Sequence, residues 1–195
     1  LLNQIVSEDI NIKANEILNE LRDEVINSLR QTGKEGEAKD GMDIALCVID
    51  FDKKKIQYSG ANNPLYFIRK ISPETKKLAE NDKLPRHIIC NDKYELVEHK
   101  ADKMPIGYYF ADQSFTNNVL DIKKNDTIYI FSDGYPDQFG GPNGKKFKYK
   151  PFKRLLLDIQ CENMENQEKI LDDHIEEWKG NLEQVDDILV IGVRM

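Results

Sequence analysis

The stretch that most constrains the fold is Ile128-Tyr-Ile-Phe-Ser-Asp-Gly-Tyr135, a short apolar run rich in β-formers that stops at an acid and a glycine. A continuous run of this kind reads as a buried strand, and this one delivers Asp133 to the rim of a sheet. A second acid, Asp186, precedes the last apolar run of the chain, Ile188-Leu-Val-Ile-Gly-Val193. The fold turns on whether those two strands lie side by side.

The intervening sequence supports that arrangement. Two helical periodicities separate the strands, about residues 151–160 (Phe152, Leu155, Leu156, Ile159) and about 165–179 (Ile170, Leu171, Ile175, Trp178), the second stopped by Gly180-Asn181. At about 1.5 Å per residue they span roughly 15 and 22 Å, enough to cross a sheet face out and back. Two crossings return the chain to the rim it left. The last strand, 187–193, then runs antiparallel beside the strand at 127–132. Neighbouring strands lie about 4.8 Å apart, so Asp133 and the pair Asp186-Asp187 come within reach of a shared cation. Carboxylates with no thiolate or imidazole among them favour Mg²⁺ or Mn²⁺. Such a site supports hydrolysis of a phosphate ester by metal-activated water. Gly134, lacking Cβ, lets backbone approach a metal or phosphate, or take φ > 0. Spacing alone also allows a plainer reading, in which Asp133-Gly134 is a turn and Asp186-Asp187 a solvated pair.

The remaining chain reads as α+β. Residues 1–6 are the end of a helix closed by Ser7-Glu8-Asp9. Ile17, Leu18, Leu21, Val25 and Leu29 predict a helix over about 13–31, capped by Asn11 or Asn15 and ended by Gly33, with an exposed loop from Thr32 to Lys39. Ile44–Ile49 reads as a buried strand, with Asp40 and Asp43 leading into it, and pairs as a hairpin with Ile56–Ser59. Leu65–Ile68 is a third strand, making an antiparallel meander, and Ser72-Pro-Glu-Thr75 a polar break. Strands are also expected at Tyr94–Glu98 and Phe115–Leu120, with a turn at Met104-Pro-Ile-Gly107. Strands flanked by helix pairs give a layered sandwich of antiparallel sheets with helices outside.

Composition narrows the function classes. The net charge of -7 argues against a nucleic-acid binder, and no apolar run approaches the roughly 20 residues of a spanning helix. No signal peptide is visible. Cys47, Cys90 and Cys161 are widely spaced and odd in number, which predicts free thiols in a reducing, cytoplasmic setting. His87, His99 and His174 form no zinc pattern. Gly140 to Lys146 fails the P-loop spacing, and neither G-x-S-x-G nor D-x-D-x-T is present. The basic run Lys145-Lys-Phe-Lys-Tyr-Lys-Pro-Phe-Lys-Arg154 follows closely after Asp133. It reads as a solvated loop and helix start with Phe147 and Phe152 packing inward. Lys145, Lys146 and Lys148 are its candidates for docking a phosphoprotein.

Phe131-Ser-Asp-Gly-Tyr135 with the late Asp186-Asp-Ile-Leu-Val-Ile191 resembles the metal-dependent protein phosphatases of the type 2C class, and more closely their bacterial branch typified by the stage II sporulation protein E phosphatase. Asp40-Gly-Met-Asp-Ile-Ala-Leu46, Tyr58-Ser-Gly-Ala-Asn-Asn-Pro-Leu65 and Met104-Pro-Ile-Gly107 match the same branch in the same order. The resemblance covers nearly the whole chain. It implies two antiparallel sheets packed face to face with helices outside. It also implies hydrolysis of phosphoserine and phosphothreonine at a centre of two Mn²⁺ or Mg²⁺ ions, with metal-bound water as nucleophile. Asp133 and Asp186 are then metal ligands and catalytic, Gly134 completes the corner, and Asp187 is the lesser of the neighbouring acids.

Members of the resembled class carry two further acidic motifs upstream, one of them Gly-Asp-x-x-Gly-His-Gly, and neither is in this sequence. Leu1–Val6 looks like the helix that follows the second. Residues 1–195 are therefore expected to be one phosphatase-like domain, the carboxy-terminal part of the full one, with its first strands missing. Short of ligands, the piece is expected to hold one ion or none, weakly, and to be catalytically impaired. Exposed strand edges would invite a second chain, giving a homodimer. The expected role is the output phosphatase of a bacterial signalling protein with an upstream sensor domain. Its partner is a phosphorylated regulator of the anti-sigma-factor-antagonist type, without nucleic acid or direct membrane contact, although the parent could be membrane-anchored. The alternative is a non-catalytic interaction module or pseudophosphatase.

Overall fold

The computed structural model describes residues 1–8, 12–34, 40–110 and 113–195. In chain order the elements are α1 (Leu2–Glu8), α2 (Ala14–Ser28), β1 (Ile44–Asp50), β2 (Lys55–Ala61), β3 (Leu65–Lys70), α3 (Pro73–Glu80), β4 (Ile88–Cys90), β5 (Tyr94–His99) and β6 (Asn118–Asp121). There follow β7 (Thr127–Phe131), α4 (Gly134–Asp137), β8 (Phe139–Gly140), β9 (Lys145–Lys146), α5 (Tyr149–Asp158), α6 (Met164–Lys179) and β10 (Val190–Arg194). The chain forms two compact units, Leu1–Leu65 with Lys100–Lys123, and Tyr66–His99 with Lys124–Met195. The antiparallel sheets and accompanying helices are the α+β sandwich class expected from the sequence.

The first unit holds a three-stranded antiparallel sheet, β1-β2-β6. Ile17, Leu18, Leu21 and Val25 of α2 are buried in one cluster with Ile5, Ile106 and Phe115, and Ile44, Leu46 and Val48 of β1 pack against it. The amphipathic stripe of α2 is thus the core face the periodicity predicted. Three details differ. Helix α2 ends at Ser28, before Gly33, because Leu29 is the C-cap and Arg30 takes φ 53. Its N-cap is Lys13, whose backbone N–H donates to the Glu16 carboxylate at 2.9 Å, so Asn15 is already inside the helix, while Asn11 lies outside the described residues. Strand β1 is half-buried throughout rather than buried, as suits an edge strand covered on one face.

The expected three-strand meander does not form. The second edge of β2 is taken by β6, with Lys55 opposite Asp121, and β3 instead becomes the central strand of the second unit's sheet, ordered β10-β7-β3-β5-β4. A left-handed Asn62 (φ 59) and Pro64 redirect the chain between β2 and β3. The polar break at Ser72 is a helix start: Ser72 caps α3 by accepting from the Thr75 N–H, with Pro73 in the first turn. Strand β6 begins at Asn118, later than predicted, while Phe115 is buried without being in a strand.

In the second unit α5 and α6 bury Phe152, Leu156, Leu171 and Ile175 in one cluster with Tyr66, Tyr129 and Phe131 of the sheet. Gly180 ends α6 at φ 56, as the sequence predicted. All three cysteines are free, and burial pushes the Cys47 thiol up to about 12. Among the described residues no helix is long and apolar enough to cross a membrane.

Candidate active site

Strands β7 and β10 are antiparallel neighbours, with Phe131 opposite Val190 and Thr127 opposite Arg194. Helices α5 and α6, the two predicted between them, therefore return the chain to the rim it left, after the single turn of α4. Continuing the same register beyond the last pair sets Ser132 opposite Leu189, Asp133 opposite Ile188 and Gly134 opposite Asp187. The contacts agree. The Ser132 N–H donates to the Leu189 carbonyl at 3.0 Å, and the Leu189 N–H donates to Ser132 Oγ at 2.9 Å. A Cβ on Gly134 would lie 2.4 Å from the Asp187 carbonyl oxygen.

Asp133 is the half-buried N-cap residue of α4, and its carbonyl accepts the Asp137 N–H at 2.9 Å. The sequence suggests only a corner here; the chain instead makes one helical turn. Gly134 is buried and does not take a positive φ. The reason for glycine is the close approach of the Asp187 backbone, so the φ > 0 explanation is set aside. Asp186 and Asp187 are exposed, on a stretch that precedes β10 rather than inside the strand predicted from 187. Asp186 Oδ1 accepts the Asp187 N–H at 2.7 Å, and the Asp187 carbonyl accepts the Ser132 hydroxyl at 2.7 Å.

Beneath this rim lies an aromatic pillar. Tyr135 stacks on Phe152 with centroids 4.6 Å apart, and Phe131 meets the same ring edge-on at 5.0 Å. Burial raises the Tyr135 phenol, whose hydroxyl donates to the Leu171 carbonyl at 2.9 Å. The corner that carries Asp133 therefore rests on packed, uncharged side chains.

The basic segment is a short hairpin, β8 with β9, leading into α5. Lys145, Lys146 and Lys148 are all exposed. Lys146 is tied to Asp137 of α4 at 2.8 Å, so the hairpin is bonded to the element that begins at Asp133. Phe147 and Phe152 pack inward, both buried. Asp40 and Asp43 belong to the chain's other unit: the Asp40 carbonyl accepts from Gln31 and the Asp43 carboxylate from Asn62. His99 and His174 sit edge-on to Phe67 and Phe147, and burial lowers both imidazoles.

Among the described residues, no group of three or more His, Cys, Asp or Glu converges as a metal cage. What the rim offers is carboxylates alone, a donor set that matches Mg²⁺ or Mn²⁺ in chemical type. Two residues with a part in this geometry have no sequence signal of their own: Ser132, and the buried Gln138, which bonds to the stretch carrying Asp186.

The sequence matches the family described as stage II sporulation protein E (SpoIIE) over residues 1–195. No curated protein matches it. Among solved structures it is similar to the SiaA-PP2C domain of Pseudomonas aeruginosa, at 21% identity and TM-score 0.76, over 100% of this chain and 65% of that one. It is also similar to the PP2C phosphatase domain with a fragment of the regulatory domain of the cell fate determinant SpoIIE from Bacillus subtilis, at 16% identity and TM-score 0.61, over 99% of this chain and 47% of that one. A third likeness is to RsbX in complex with magnesium, at 14% identity and TM-score 0.57, over 98% of this chain and 69% of that one. At these identities the likeness shows the fold. The chain spans less than two thirds of the length of the first two.

Proposed function

The chain belongs to the stage II sporulation protein E family of type 2C phosphatases, and on that premise we propose that residues 1–195 are one phosphatase-like domain, part of a serine/threonine protein phosphatase that serves as the output of a bacterial signalling protein. The observation that carries this reading is the register of β7 and β10, which sets the Asp133-Gly134 corner against Asp187 with Asp186 beside it.

In this reading Asp133 and Asp186 hold a divalent cation, with Asp187 as a neighbouring acid. Asp186 has one oxygen engaged by the Asp187 N–H, leaving the other for a cation. Gly134 admits the Asp187 backbone and so sets the separation across the rim. Mn²⁺ or Mg²⁺ bound there would polarise a phosphate oxygen and acidify a water. Lys145 and Lys148, with Lys146 anchored to Asp137, receive the phosphorylated partner or its acidic surroundings. A phosphorylated regulatory protein of the anti-sigma-factor-antagonist type is the substrate that suits this role, in the cytoplasm and under control of a sensor domain of the same protein.

The test is Mn²⁺-dependent release of phosphate from a phosphoserine peptide by the full-length protein. Asp133→Asn is expected to lower the rate by on the order of a hundredfold or more, as does chelation of the metal. Equal rates in the variant, or in chelator, would overturn the metal reading. No turnover by the unaltered protein on any phosphoserine or phosphothreonine peptide would instead favour a non-catalytic interaction module.

A further inference from the structure

The stretch that carries Asp186 and Asp187 is exposed from Asn181 through Asp187. Its apolar members do not anchor it: Leu182 is 47% and Val185 63% exposed. Ile188, just after the two acids, packs against the core cluster, but no buried side chain holds the stretch on the side before them. Hydrogen bonds to two residues that bracket Asp133 in sequence hold it as well.

Gln138 is fully buried, an uncommon place for a polar side chain unless every group finds a partner. Its Nε2 donates to the carbonyls of Phe139 and Glu183, both at 3.0 Å, and its Oε1 accepts the Val185 N–H at 3.4 Å. Both amide donors and the acceptor are used, and two of the three bonds reach the stretch before Asp186. Ser132 works from the other side. Its hydroxyl donates to the Asp187 carbonyl at 2.7 Å and accepts the Leu189 N–H at 2.9 Å. Between them, Gly134 lies against the Asp187 backbone, where a Cβ would be 2.4 Å from its carbonyl oxygen. The acid-bearing stretch is thus gripped before Asp186 and after it, by residues on either side of Asp133.

We propose that Ser132 and Gln138 are positioning residues, a two-point clamp that holds residues 183–189 at a fixed separation from Asp133 and thereby sets the divalent-cation affinity of the rim. The proposal rests on the reading of Asp133 and Asp186 as ligands. A loop free to drift would have to be ordered by the cation itself, and the cost would appear as weaker binding. The clamp bonds only to backbone, so it acts whatever substrate the site takes.

The experiment is a Mn²⁺ titration followed by electron paramagnetic resonance, with amide hydrogen exchange over 183–189, on the full-length protein and on Ser132→Ala, Ser132→Thr, Gln138→Met and Asp133→Asn. Ser132→Ala and Gln138→Met are expected to weaken Mn²⁺ binding about 10- to 100-fold and to speed exchange at Val185 and Leu189. Ser132→Thr keeps the hydroxyl and is expected to restore binding to within about threefold of the unaltered protein. Should Gln138→Met fail to fold, the Ser132 pair carries the test, because that side chain is only half-buried. A merely structural role would lower melting temperature while leaving the affinity of the folded protein unchanged. Wild-type affinity in Ser132→Ala, with binding lost in Asp133→Asn, would overturn the clamp alone. Wild-type affinity in Asp133→Asn, or no Mn²⁺ binding by the unaltered protein, would overturn the ligand reading and the clamp with it.

Discussion

Strand β7 carries an acid at each end, and the structure treats the two differently. Asp126, just before the strand, is buried, with its side chain 5% exposed and Arg69 Nη2 at 2.6 Å. Its carbonyl accepts the Met195 N–H at 2.9 Å, which ties the chain's last residue to the sheet. Asp133, just after the strand, is half-buried on a helical turn, beside the exposed stretch that brings Asp186 and Asp187. The first acid fastens β7 to its neighbour β3. The same residue type at two ends of one strand is thus a buried rivet at one end, held by a guanidinium, and at the other a half-buried member of the proposed cation site, beside an exposed stretch that carries two more acids.

The contrast can be broken from the Asp126 end first. Arg69→Met leaves a buried carboxylate without its guanidinium and is expected to cost about 3–5 kcal/mol in urea unfolding, while Mn²⁺ affinity of the folded protein stays within about threefold of the unaltered value. A loss of metal binding equal to that of Asp133→Asn would mean that the two ends are not separate devices. Gly134→Ala comes next. Its new Cβ meets a backbone oxygen rather than a flexible side chain, so about 2–3 kcal/mol is expected. Gly144→Ala on the basic hairpin meets nothing within 4 Å and bears only the strain of φ 56, about 1 kcal/mol. If the two glycine variants unfold at the same urea concentration, the close approach across the rim is not what Gly134 provides. Asp133→Asn itself is expected to change stability by no more than about 1 kcal/mol, because the side chain is only half-buried and the substitution keeps its shape.

The smallest effect belongs to a third acid at a strand end. Asp50 closes β1, and its carboxylate accepts both the backbone N–H and the ammonium of Lys53 at 2.8 Å. Those bonds, that of the Lys53 ammonium first and that of the backbone N–H next, lower its pKa below the ordinary 3.8. A carboxyl depressed on folding adds stability above its unfolded value and loses it as pH falls through the folded one. The urea midpoint of Asp50→Asn should therefore sit slightly below that of the unaltered protein at pH 7. The gap should close as pH drops below about 3.8, and shrink in 1 M salt. Asp50 is spent on its own turn, three residues away, and phosphate release should not notice its loss. A rate change in Asp50→Asn would blur the distinction between turn acids and rim acids.

Much of this was legible from local patterns. The apolar runs at 127–132 and 187–193, and the periodicities of α5 and α6, specify strands and helices directly, and two helices between two strands imply an antiparallel pair. The helix α3 was equally legible in Ser72-Pro73, a cap followed by a first-turn proline, yet that sequence also spells a loop. What local pattern does not carry is which edge a strand will take. Leu65–Ile68 would pair with β2 by proximity, but β6 returns from residue 118 to occupy that edge. Continuous burial along β3 is the trace of its central place. Nor does sequence show that Gln138, polar and unremarkable in a loop, is buried to hold backbone 45 residues away. The acids of the candidate site announce themselves through the strands they end. The residues that place those acids bond to backbone, which has the same chemistry everywhere in the chain.

The central claim is that the Asp133 corner and the stretch at Asp186 form one cation-binding rim. Anomalous diffraction at the manganese edge from crystals of the full-length protein grown with Mn²⁺ tests it most directly. The account predicts an anomalous peak within about 2.5 Å of carboxylate oxygens of both Asp133 and Asp186. A manganese peak bonded to neither acid, with the rim empty beside it, would contradict it.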